Sequence, residues 1–321
     1  MAITIALAGD TMLGRGVAER LEAVEPNELF SGGVRSAIDR ADLFVLNLEC
    51  CVSSHGRPVA GRRFHFRAPP VAVKTLTALG VDCVTLANNH ALDYGAPAFT
   101  DTLAHLAQAG IKVAGAGLDS AAAHAPVLLE HSDTRVAVLG ITDHPREAAA
   151  GTDRPGVAYA DLRFGVPEWL VRAIRELAAR DHIVLVTPHW GPNMTREPVP
   201  HVRTAAQQLV DAGATLIAGH SAHVFHGVAW RILFDLGDFI DDYARDPFLR
   251  NDFGLLFLVT LDQRGPLELE AVPLSLGFGY TRLAHRDEAR WIYDRFTKAC
   301  AEFGTDVTQV EDRLVVRWRH R

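Results

Sequence analysis

The chain has 321 residues, of which 48% are hydrophobic and 22% charged, with a formal net charge of −7. That balance describes a globular protein with a sizeable core, and the acidic surplus argues against the basic face that nucleic acid or an anionic membrane would need. No run of 18 apolar residues occurs, so no membrane span is expected. The opening MAITIALAGD has neither the charged start nor the cleavage site of a signal peptide, so a cytoplasmic protein is expected.

In chain order, short apolar or β-branched runs alternate with helical patterns. ITIALAG (3–9), DLFVLNLE (42–49), DCVTLAN (82–88), RVAVLGIT (135–142), HIVLVTPH (182–189) and TLIAGH (215–220) are predicted as buried strands. Helices are predicted at about 69–80, 96–110, 165–180 and 201–213. Strand–helix alternation predicts βαβ units around a largely parallel sheet. After residue 230 the character changes. ILFDLGDF, GLLFLVTLD and LELEAVPLSL are predicted as strands with few helices between them, with DQRG as a hairpin turn. A helix near 286–303 and a strand RLVVRWR follow. A second β-rich sheet packed on the first would account for the shift, and residues 1–321 form one predicted domain. The four cysteines, Cys50, Cys51, Cys83 and Cys300, form no CxxC pair and are expected as reduced packing residues.

The chemistry collects at strand ends. The first predicted strand ends in Gly9-Asp10, the second in Asn47-Leu48-Glu49, and the third in Asn88-Asn89-His90 followed by Asp93. The fifth ends in His189-Trp190-Gly191 and the sixth in Gly219-His220-Ser221-Ala222-His223, with His226 close behind. Singly, an Asp after a strand is usually a helix N-cap, Asn-Asn a turn and a lone His a surface or core residue. Together they fall on the carboxyl edge of an α/β sheet, where such folds place their sites. Oxygen and imidazole donors without thiolate suit one divalent cation of the Mn, Ca, Mg, Fe or Zn kind. Trp190 and Phe225 are expected either to line a pocket or, more simply, to pack in the core.

LAGDTMLGR, LNLE, LANNHALDYG, PHWG, GHSAHVFHG and DLGDF occur in the order seen in the CapA-like proteins of poly-γ-glutamate capsule synthesis. The chain therefore resembles that family, within the calcineurin-like metallophosphoesterase superfamily, over about residues 3–240. The resemblance implies a two-sheet β-sandwich flanked by helices, in the order α/β/β/α. It also implies two cation positions. One maps to Asp10, Met12, Glu49 and His223, where Met12 stands in place of a histidine ligand; the other maps to Glu49, Asn89, His189 and His220. Since a thioether is a poor ligand for a hard dication, one well-occupied position is expected.

The same resemblance makes His90 a proton donor rather than a ligand, with Asp93 as the acid that orients it and favours the imidazolium. As a first-turn residue of a helix, Asp93 would equally suit the helix dipole. Asp238 stands where relatives commonly carry Asn, and could orient His223 or His226 or take a proton itself. His226 is expected beside the ligands or facing substrate. One cation with His/Asp pairs is equipment for acid–base chemistry, and some relatives are associated with Cα epimerisation of a peptide residue. The expected catalytic set is His90, Asp93, His226 and Asp238, with Arg15 or Arg63 stabilising an enolate-like intermediate. The expected activity is that of a metal-dependent peptide epimerase acting on a peptide or poly-amino-acid, with no nucleic-acid or membrane partner. Phosphoester hydrolysis, and non-catalytic binding of a carboxylate-rich polymer, are the alternatives. Capsule proteins of this family usually carry a membrane anchor, so a free-standing cytosolic member suits the peptide role better.

Overall fold

The computed structural model describes residues 2–318. Two sheets pack face to face, and helices cover both outer surfaces. The first sheet runs in the order 308–310, 313–317, 265–277, 253–262, 3–11, 43–48, 83–85 and 112–114, with 238–240 and 280–283 as additional short strands. The second runs 228–229, 232–233, 216–218, 183–189, 134–142 and 127–131.

Alternation along the strands builds the layers. Ile3, Ile5 and Leu7 of the Ile3–Thr11 strand, with Leu43 and Val45 from Leu43–Leu48, face Val136, Val138, Ile183 and Leu185 of the second sheet in one buried cluster. The intervening Ala6, Ala8, Phe44 and Leu46 face the other way, into a cluster shared with Val17 and Leu21 of helix Arg15–Ala23 and Phe99 of helix Gly95–Gln108. On the far side, Ala137, Leu139, Val184 and Val186 pack under helices Glu168–Ala178 and Pro200–Ala212. Strict period-two patterning with both faces apolar is what a strand buried between two layers requires. The expected α/β/β/α sandwich is what the chain forms.

Two expectations are corrected. The β-rich stretch after residue 230 does not make the second sheet. Its long strands Phe253–Asp262 and Gly265–Gly277 form an antiparallel hairpin beside Ile3–Thr11 and so extend the first sheet. The parallel strands themselves divide into two groups: Ile3–Thr11, Leu43–Leu48, Cys83–Thr85 and Lys112–Ala114 in one sheet, Thr134–Thr142, Ile183–His189 and Leu216–Ala218 in the other. ILFDLGDF is also not one strand. Ile232–Leu233 pairs in the second sheet and Asp238–Ile240 in the first, with residues 234–237 crossing between them. Gly237 there has φ +74, and Asp235 Oδ1 accepts from its N–H at 2.9 Å. Hydropathy alone hides such a crossing, because both halves are apolar and buried.

The crossing positions the site. The antiparallel neighbour 253–262 pairs with Ile3 to Leu7. Beyond that point Asp238–Ile240 takes over in parallel, placing Asp238 opposite Asp10. Gly9 makes this approach possible: a Cβ there would lie 1.7 Å from the Gly237 carbonyl oxygen, far inside van der Waals contact. Asp10 N–H then donates to that same carbonyl at 2.9 Å.

Candidate active site

Asp10, Glu49, His223 and Asp238 present donor atoms that all lie within 4.8 Å of one another. They come from four distant parts of the chain and are 6% exposed or less. His223 Nδ1 lies 2.9 Å from Asp238 Oδ1, 3.3 Å from Asp10 Oδ2 and 3.9 Å from Glu49 Oε2. Beside them, His189 Nε2 lies 3.8 Å from Glu49 Oε1, and His220 Nδ1 lies 3.4 Å from Asp10 Oδ1. Two donors about 2.1 Å from a shared cation sit about 3.0–3.4 Å apart; the 2.9–3.4 Å separations around Asp10 and Asp238 are close to that spacing, and the two Glu49 separations are wider.

The backbone is bent to deliver the histidines. Ser221 and His223 have φ +110 and +59, conformations that cost roughly 1–3 kcal/mol each for non-glycine residues. The loop is tied down by Asp235, whose Oδ2 accepts from Ala222 N–H at 2.8 Å, and by Ser221 Oγ donating to the Gly191 carbonyl at 3.0 Å. Asp10 is fixed by Asn47, which donates to Oδ1 at 2.7 Å, and Asn47 is in turn held by Asn88 at 2.9 Å.

Charge is the problem this cluster poses. Burial opposes ionisation of Asp10, but His220 and His223 hold its carboxyl well below the usual carboxylate range. Burial, then the Asp10 charge, pushes Glu49 well above it. Burial likewise raises Asp238. Burial works against a charged His223, yet Asp238 and Glu49 raise its pKa well above that of an ordinary imidazole. Burial pushes His189 well below. Three carboxyls around one imidazole cannot all ionise unless further positive charge is supplied.

The hydrogen-bond inventory gives the same answer. Among the described residues, 15 buried side-chain N or O atoms have no hydrogen-bond partner, and six of them belong to the candidate donors: both Glu49 oxygens, Asn89 Oδ1, His189 Nε2, His220 Nδ1 and Asp238 Oδ2, with Asp241 Oδ2 and the Tyr243 hydroxyl adjoining them. Leaving one such atom unpaired costs about 1–3 kcal/mol. Six in one place, all lone-pair donors of the oxygen and imidazole type, fit a bound divalent cation. Asp10, Glu49, Asn89, His189, His220 and His223 were all expected as ligands: Asp10, Glu49 and His223 fall within the cluster, and His189 and His220 lie beside it. Asn89 is the least enclosed of them and borders the cleft described next.

That cleft is open, about 480 Å³, and lined by residues that include Arg62, Arg63, Phe64, Asn89, His90, His144 and Asn193. His90 Nδ1 sits 2.6 Å from Asp93 Oδ2, which also accepts from Phe66 N–H at 2.7 Å. Arg62 binds the other Asp93 oxygen. The expected His90–Asp93 pair therefore forms, but in a tight turn, since the helix begins only at Gly95. The expected charge is corrected: burial outweighs Asp93 and lowers the His90 pKa. Burial thus favours the neutral ring, and Nδ1 is the nitrogen turned to Asp93.

His144 was passed over in the sequence, although the signal was present: the strand Thr134–Thr142 ends directly in Asp143-His144. His144 Nδ1 lies 2.5 Å from Asp143 Oδ1, while Asp143 Oδ2 accepts from Gly191 N–H at 3.0 Å and lies 3.3 Å from His201 Nε2. Burial opposes the Asp143 charge, but His144 and its other donors hold its pKa below the ordinary value. A second imidazole–carboxylate pair therefore borders the same cleft.

Other expected residues lie elsewhere. His226 does not join the cluster: its Nε2 donates to the Thr195 carbonyl at 2.8 Å, in a small cavity lined by Trp190, Pro198 and Val202 among others. Met12 is buried in the core, its sulfur accepting from Gly14 N–H at 3.1 Å. Arg15 is committed to Asp242, with Nε 3.0 Å from Oδ2, whereas Arg63 does border the cleft. Trp190 and Phe225 are 2% and 1% exposed and pack in the core. All four cysteines are free and buried.

A sandwich with donor-bearing loops at the strand ends is the architecture of an α/β protein whose buried Asp/Glu/His cluster could hold a metal ion. This chain belongs to the bacterial capsule synthesis protein PGA_cap family, whose model matches residues 4–243. It is 28% identical to a "Probable polyglutamine synthesis accessory protein" of Mycobacterium tuberculosis, over 98% of this chain and 95% of that one. It is also 28% identical to the capsule biosynthesis protein CapA of Bacillus anthracis, covering 99% and 78% of the two chains. The PGA biosynthesis protein CapA of Bacillus subtilis is 28% identical over 85% and 72%. Among solved structures, a hypothetical protein from Thermus thermophilus aligns with a TM-score of 0.46 at 16% identity, over 87% and 96% of the chains. No helix among the described residues is long and apolar enough to cross a membrane.

Proposed function

We propose that this protein is a cation-dependent acid–base enzyme acting on a peptide or poly-amino-acid, and that its reaction is proton transfer at a backbone Cα, leading to epimerisation. The observation that carries this is the pairing of a buried cluster of unpartnered donors with two imidazole–carboxylate pairs on one cleft, one from each sheet. Divalent cation bound among Asp10, Glu49, Asn89, His189, His220 and His223 would polarise a substrate carbonyl or acidify a water. His90, neutral and held by Asp93, offers Nε2 to take the Cα proton. The C–H electron pair moves onto the adjoining carbonyl oxygen. His144, held by Asp143, returns a proton from the other side. Arg63 at the cleft suits a substrate rich in carboxylates, in keeping with relatives named for polyglutamine, capsule and PGA synthesis.

The test is to incubate the Mn-loaded protein with γ-linked L-glutamate oligomers in heavy water. Cα deuterium together with D-residues after hydrolysis is the expected result. Loss of that exchange in His90→Asn would tie it to the cleft. No Cα deuterium in any oligomer would remove the proposal.

Phosphoester hydrolysis stands second, favoured by Glu49. Its two free oxygens face His189 and His223 separately, the disposition of a carboxylate between two cations. Steady turnover of nitrophenyl phosphates with Mn, lost in His90→Asn, would put hydrolysis first.

A further inference from the structure

We propose that Asp238 is itself a cation ligand. With Asp10, Glu49 and His223 it completes the first of the two cation positions that the resemblance implies, supplying the donor that Met12 withdraws. This rests on the cation-binding role of the cluster but on neither reaction.

Three observations carry it. Asp238 is 1% exposed, and its Oδ2 has no hydrogen-bond partner. Were Asp238 present only to orient His223, Oδ1 alone would suffice, at 2.9 Å from Nδ1. Oδ2, beside the Asp241 carboxyl, and both Glu49 oxygens would then be buried without a hydrogen-bond partner, at the cost that unpaired carboxylate oxygens carry. Second, the four donor groups lie within 4.8 Å of one another, and they approach one point from different elements. Asp238 reaches it because its strand pairs in parallel with Ile3–Thr11 in the register Asp10 to Asp238. Third, Glu49 divides the region. Oε2 faces His223 at 3.9 Å, whereas Oε1 faces His189 at 3.8 Å. Met12 adds no donor, because its sulfur is occupied by Gly14 N–H within the core. Three carboxylates and an imidazole make a hard donor set suited to Mn²⁺.

The experiment is Mn²⁺ titration of metal-stripped full-length protein by calorimetry, with metal counted by elemental analysis after desalting. Wild type is expected to hold two equivalents and Asp238→Asn one, with affinity at the lost position down at least tenfold. His189→Gln is expected to lose the other equivalent. Exchange coupling between two Mn²⁺ ions in the wild-type spin-resonance spectrum should vanish in both variants. Two equivalents in Asp238→Asn with unchanged affinities would overturn the proposal. So would a single equivalent in wild type that Asp238→Asn retains, although that result would leave cation binding by the cluster intact. Wild type that binds no Mn²⁺ would overturn both. If circular dichroism shows Asp238→Asn unfolded, the same counts on Asp238→Ala decide.

Discussion

His226 is a histidine that the fold has made structural, and acid should expose this. Its Nε2–H donates to the Thr195 carbonyl at 2.8 Å, while Nδ1 is buried without a partner. Burial, with Arg295 and Arg203 near, lowers its pKa to about 4. The unfolded chain should titrate this ring near 6.5. Between those values the unfolded state binds the extra proton, so stability is fully present above about pH 6.5 and is lost as pH falls towards 4. Linkage sets the loss at about 2 kcal/mol at pH 5 and about 3 kcal/mol well below pH 4. His226→Gln keeps an amide donor for Thr195 but cannot titrate. Urea unfolding of both proteins at pH 8 and pH 5 isolates the effect, because every other titrating group contributes to both. The stability difference between them should shift by about 2 kcal/mol in favour of the variant on acidification. An unchanged difference would mean that His226 is not buried as a neutral ring.

Three further outcomes are expected. Gly9→Ala places a methyl against the Gly237 carbonyl and must separate the strands that align Asp10 with Asp238; thermal unfolding should show a loss of at least about 1–3 kcal/mol, together with weaker Mn²⁺ binding. Asp93→Asn removes the charge shared by His90, Arg62 and Phe66 N–H, and Cα exchange should fall by about 10²–10⁴ with the circular dichroism spectrum unchanged. Mn²⁺ at about 100 times its dissociation constant should add about 2.7 kcal/mol of stability, read as a raised melting temperature that chelator reverses; a flat response would count against the cluster as a cation site.

Much of the frame was legible in the chain alone. Ile3, Ile5 and Leu7 against Ala6 and Ala8 already spell a strand covered on both faces, and parallel strands oblige their carboxyl ends to share a rim. Asp10, Glu49, His189, His220 and His223 could therefore be named as companions before their distances were known. His144 carried the same strand-end signal as the others. What sequence could not decide was the outcome for each group once buried. His90 and Asp93 are neighbours in any turn, but whether the imidazole gains or loses its proton depends on how far burial outweighs the carboxylate. His223 and His226 are three residues apart and chemically identical; only the packed loop turns one towards three carboxyls and the other towards the Thr195 carbonyl. Asp238 meets Asp10 because the chain crosses between sheets at Gly237 and two glycine-lined backbones touch. Local pattern thus determined the layers and the residue types at the rim. Only the tertiary structure decided which charges face one another, because Coulomb and desolvation energies depend on separations through space between residues far apart along the chain.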